Sequence, residues 1–99
     1  MEQRERIAYY EALLDRIKAA NAELETAMEA FRQVLPALKE LNEYYGSLAW
    51  RRDLADDEAG KLPPDLKRGV LSEDGAYDAL TDSRRLLADM LELAKAAAE

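Results

Sequence analysis

The sequence predicts an all-α protein on three observations. Apolar residues recur in a three-four alternation from Ile7 to Tyr45. Two prolines and two bracketing glycines crowd into residues 60–75, and beyond them Ser72-Glu73-Asp74 opens a second long apolar face. The predicted architecture is a long kinked N-terminal helix packed with a short middle helix and an antiparallel C-terminal helix, completed as a bundle by dimerisation. The expected elements are a helix over about 3–45, a helix over about 48–59, a packed connector over 60–72 and a helix over about 73–97.

Along the first helix the seam reads Ile7, Tyr10, Leu14, Ile17, Asn21, Leu24 and onward to Tyr45, a heptad a/d pattern. A strand needs period two, so this spacing assigns a single helix, about 60 Å long. The residues before the a positions, Leu13, Ala20, Ala27, Val34 and Leu41, widen the stripe. A stripe this wide suits a bundle of three or four helices. On its other flank stand Glu11, Lys18, Glu25, Arg32 and Lys39, read as solvated edge charges. Asn21 and Asn42 place amides in the seam, where they fix register or meet a loop or water. Pro36 lacks a donor and crowds the carbonyl four residues back. The seam keeps phase across it, so the sequence predicts a kink near 32–36 and no new element.

Tyr44-Tyr45-Gly46-Ser47 reads as a stop followed by a start, with Gly46 left-handed and Ser47 capping the second helix. That helix carries Trp50 and Leu54 on one face and ends at Gly60. Trp50 reads as a core anchor more readily than as a ligand platform. The connector, with Pro63 and Pro64, allows one turn from about Pro64 to Arg68, closed by Gly69. Its Leu62, Leu66, Val70 and Leu71 are expected to tuck against the helices. Ser72 caps the third helix, and Glu73 and Asp74 favour the positive end of its macrodipole. At roughly 35 Å this helix is shorter than the first. The seam near Ile7 to Ile17 is then left uncovered, which predicts self-association.

Composition narrows the chemistry. The 99 residues suit one domain, small enough to gain from a second copy. Cysteine and histidine are both absent, which removes disulfides, thiolate nucleophiles, serine triads and the usual zinc centres. A net charge of -7 disfavours direct binding to nucleic acid or anionic lipid. No apolar run reaches membrane-spanning length and the charged N-terminus does not read as a signal peptide, so a cytoplasmic protein is expected.

The densest polar group surrounds the connector. It yields neither a phosphate loop, since Ala55 stands where the first glycine is needed, nor an EF-hand spacing. Asp53 and Asp57, one helical turn apart, leave room for a weak cation site, and with Glu73 and Asp74 they define an alternative reading as a small carboxylate-based enzyme or cation-dependent binder. A third reading is an acidic inhibitor of a nucleic-acid-binding protein. No catalytic residues, metal ligands or cofactor are assigned. Charges that cap helices and bridge the connector account for the group most simply.

The run Tyr44-Tyr45-Gly46-Ser47, Trp50, Asp53, Asp57 through Pro63, and Asp65 through Asp74 to Tyr77-Asp78 resembles a family of small bacterial proteins grouped only as a domain of unknown function. The resemblance covers Tyr44 to Asp78. It implies a bacterial cytoplasmic origin and an all-helical fold, and it supplies no activity. It also implies a shared surface made by Trp50, Asp53, Lys61, Asp65, Lys67, Arg68, Glu73 and Asp74. The sequence is therefore read as a non-enzymatic helical interaction or adaptor protein, a homodimer with a possible protein partner, whose residues 60–75 form the recognition surface.

Overall fold

The computed structural model describes residues 2–72 and 74–99. The described chain is all-α: α1 spans Gln3–Tyr44, α2 spans Leu48–Glu58, a 3-10 turn spans Gly69–Leu71, and α3 spans Gly75–Ala98. No described helix is long and apolar enough to cross a membrane. The chain divides into two compact units, Met1–Pro36 and Ala37–Glu99. α1 begins in the first and ends in the second, running through Pro36 as one helix.

The first unit is helix throughout its described length apart from Glu2, so it has no second element of its own to pack against. Its apolar stripe is open: Tyr10 and Ile17 are 59% and 58% exposed, and Ile7, Leu14 and Leu24 are exposed as well. Leu13, Met28 and Phe31 are half-buried. Tyr9 and Tyr10 meet edge to face with ring centroids 5.2 Å apart. The Thr26 hydroxyl donates to the Ala22 carbonyl at 3.0 Å, satisfying itself on the helix backbone.

The second unit is built from tight helix ends. Gly46 takes φ +81°, a conformation that strains any residue with a Cβ, and α1 stops there. Ser47 is extended (φ -70°, ψ 169°), and its hydroxyl accepts from the Trp50 N–H at 3.1 Å, capping α2. At the other end of α2, Gly60 takes φ +71°. The Gly60 N–H donates to the Asp57 carbonyl and the Lys61 N–H to the Asp56 carbonyl, the paired bonds of a Schellman motif.

The connector's helical turn lies at Gly69–Leu71 and not at the expected Pro64 to Arg68. Between Lys61 and Arg68 the backbone is turn and bend, closed locally by the Leu66 N–H on the Pro63 carbonyl at 3.2 Å. The two prolines remove donors there, while Gly69 to Leu71 retain theirs. Leu71 (6% exposed), Ala76 (3%) and Leu80 (4%) are the buried apolar residues among those described, placed where the 3-10 turn meets the start of α3. Leu62 and Val70 are half-buried beside this core, but Leu66 is 50% exposed and does not tuck in.

Candidate functional site

The connector is held by side-chain bonds that draw on several of the polar residues singled out from the sequence. Trp50 is half-buried on the first turn of α2, its ring edge to face with Tyr45 (centroids 5.0 Å, planes at 68°). Its indole N–H donates to the Val70 carbonyl at 3.1 Å, joining α2 to the 3-10 turn. About two turns further along α2, the Arg68 guanidinium donates to Asp57 at 2.6 Å. Both partners are half-buried, so this pair is less screened than the exposed pairs of α3, Arg85 with Asp82 and Asp89.

The Tyr44 hydroxyl donates to the Asp53 carboxylate at 2.5 Å, bridging the last residue of α1 to α2 across the Gly46 corner. Asp53 therefore works as an acceptor toward a residue that sequence reasoning passed over. Tyr44 ends the heptad run beside the seam, and only its place in the quoted Tyr-Tyr-Gly-Ser stretch pointed to it. Asn42, read from sequence as a seam amide, accepts from the Arg84 guanidinium of α3 at 2.9 Å.

At the start of α3 the Ser72 hydroxyl has two bonds: it donates to the Gly69 carbonyl at 2.6 Å and accepts from the Gly75 N–H at 3.0 Å. Asp74 is exposed and makes no side-chain capping bond; its carbonyl accepts the first helical bond from Asp78. Glu73 lies outside the described residues.

Lys61, Asp65 and Lys67 are exposed, and among the described residues none of them forms an ion pair. Lys67 lies on the rim of an open groove of about 410 Å³ whose floor is apolar, formed by Leu41, Val70, Ala76 and Ala79. Among the described residues no three acidic side chains converge in a way that would hold a metal ion. Asp53 and Asp57 are instead occupied by Tyr44 and Arg68.

The bond to Asp53 raises the Tyr44 phenol above its ordinary value near 10, with desolvation and the negative charge of Asp53 acting in the same direction. Because the folded-state value is raised, the stabilisation is fully present below the unfolded value and is lost as pH rises through the folded one. A difference ultraviolet titration against Tyr44→Phe is expected to place Tyr44 ionisation above the ordinary tyrosine range. Asp53→Ala is expected to return it there. Superimposed titrations with and without Asp53 would remove the assignment.

The chain is thus an all-α protein with a stapled connector and an open helical stripe. Residues 7–93 match DUF4298, a domain of unknown function, and the chain belongs to that family. The match reaches across most of α1 and α3 as well as the connector. No curated protein and no solved structure matches the chain.

Proposed function

We propose that this protein is a non-enzymatic helical interaction protein that acts in the cytoplasm as a homodimer, with α1 as the assembly seam and the connector as the surface offered to a protein partner. The observation that carries the reading is the open stripe on α1, where Tyr10, Leu14, Ile17 and Leu24 are exposed on a helix segment that has no packing element within its own unit. Apolar stripes of this length are stable in water when another surface covers them.

The connector supports the second half of the reading. Its shape is held by Trp50, Arg68 and Ser72, while Lys61, Asp65 and Lys67 are exposed and form no ion pair among the described residues, and Lys67 borders an apolar groove. A fixed backbone that presents an apolar floor with a polar rim suits a recognition patch.

The test is a pull-down from bacterial lysate with mass spectrometry, preceded by light-scattering mass measurement of each protein used. Wild type is compared with Lys61→Glu, Lys67→Glu, which leaves the Asp57–Arg68 pair intact. The expected result is a dimeric mass for both proteins and loss of a specific partner from the variant alone. Identical partner profiles would remove the recognition role, and a monomeric mass across a wide concentration range would remove the assembly role.

A further inference from the structure

We infer that the partner of the α1 stripe is a second copy of the same helix, docked antiparallel about a two-fold axis between Ala22 and Glu23. This rests on the dimer reading above and specifies its geometry. Within Met1–Pro36 the described chain is one helix from Gln3 onward, so the heptad positions from Ile7 to Leu35 lie on one surface and their order decides which pairings are possible.

The charged flank carries Glu11, Lys18, Glu25 and Arg32 at intervals of one heptad, all exposed. In an antiparallel pair this flank faces itself, and about that axis Glu11 lies opposite Arg32 of the second copy and Lys18 opposite Glu25. Every charge of the set meets its opposite. At present Arg32 bonds Glu29 on its own helix at 3.1 Å, an exposed pair that contributes little and can be exchanged. Among the described residues Glu11, Lys18 and Glu25 form no ion pair.

The same axis also settles the other two strips. On the apolar flank Leu13 faces Val34 of the second copy, and Ala20 faces Ala27, whose small side chains allow close approach. Along the seam Tyr10 meets Leu35, Leu14 meets Phe31, and Ile17 meets Met28. In the two layers that flank the axis Asn21 meets Leu24, which places one amide from each copy near the centre of the seam.

Competing pairings fail on the same residues. In a parallel pair the charged flank faces Leu13, Ala20, Ala27 and Val34, and gains nothing from its charge order. An antiparallel slip of one heptad in one direction sets Glu11 against Glu25 and Lys18 against Lys18. A slip in the other direction sets Lys18 against Arg32 and Glu25 against Glu25. A slip of two heptads restores opposite charges, Glu11 with Lys18 and Arg4 with Glu25, but leaves Met28, Phe31 and Leu35 unpaired. The inferred register does place Arg4 against Lys39, a like-charge contact between two exposed side chains that solvent and salt screen.

The test uses the full chain at physiological salt. Glu11→Lys, Glu25→Lys makes the flank wholly basic, and Lys18→Glu, Arg32→Glu makes it wholly acidic. Each variant alone is expected to self-associate about a hundredfold more weakly than wild type in sedimentation equilibrium, since attraction becomes repulsion along the whole flank. An equimolar mixture is expected to recover a heterodimer of near wild-type affinity, which also shows that both variants fold. Because the chain has no cysteine, the register is read by disulfide trapping: Leu13→Cys and Val34→Cys are expected to link to each other when mixed, and neither to itself.

A wild-type dimer unaffected by both charge variants, or Leu13→Cys linking to itself, would overturn the antiparallel pairing and leave the dimer reading standing. A wild type that stays monomeric at all concentrations would overturn both. A variant mixture no tighter than its components would overturn the charge pairing specifically.

Discussion

Replacing Trp50 with alanine is expected to destabilise the Ala37–Glu99 unit by about 3 kcal/mol, from the cost of truncating a large aromatic anchor. The change has three components. The edge-to-face contact with Tyr45 is lost. The Val70 carbonyl loses the indole N–H it accepts from. The half-buried volume between α2 and the 3-10 turn is emptied. Trp50→Phe separates these, because it retains a ring against Tyr45 and removes the donor, and it is expected to cost about 1–1.5 kcal/mol. Urea denaturation followed by far-ultraviolet circular dichroism, at one protein concentration, measures both. Equal midpoints for wild type and Trp50→Ala would show that the connector is not held by this residue.

The second large effect is expected at Gly75, where alanine should destabilise by about 2–3 kcal/mol through overpacking. A Cβ built there would strike the Gly69 carbonyl oxygen and stand 2.5 Å from the Ser72 hydroxyl. Those two atoms are themselves bonded, and both belong to the cap of α3. The added methyl therefore breaks the cap as it displaces the turn. Gly69→Ala is the matched control: a Cβ at that position meets nothing within 4 Å, and the change is expected to stay within about 0.5 kcal/mol of wild type. Should Gly75→Ala unfold at the wild-type midpoint, the close approach of α3 to the 3-10 turn would be wrong.

These two residues also mark how far the sequence could be read. The all-α class and the three helices followed from the heptad run, the Gly46-Ser47 corner and the Ser72 start, because those signals are local and each has one dominant cause. The turn at Gly69–Leu71 was not legible. Pro63 and Pro64 drew the expected turn toward themselves, whereas the observed turn also takes a bond from the Trp50 indole to the Val70 carbonyl, twenty residues apart in the chain. Gly75 offered a faint signal, a poor helix former in the first turn of a helix, but the carbonyl that requires it lies six residues away in another element.

Of the candidate surface residues, Trp50 could be assigned to packing from its size alone. The assignments of Asp53 to Tyr44 and of Asp57 to Arg68 could not be reached in the same way. Acids one turn apart on a helix suit a cation or separate partners equally well, and the choice is made by which neighbours the fold delivers.

The stapled connector also bears on the order in which the molecule forms. The Asp57–Arg68 pair and the Trp50–Val70 bond join residues 11 and 20 positions apart. Closing loops of that size takes on the order of 0.1 microseconds, and short-range contacts favour fast folding. The connector can therefore assemble on a single newly made chain, at a rate independent of how many copies are present. In the proposed dimer, joining two α1 stripes is a second-order event that slows with dilution. On the proposed dimer reading, maturation would then proceed in two stages, with the connector complete before the seam is covered, so the protein's abundance would govern the second stage and not the first.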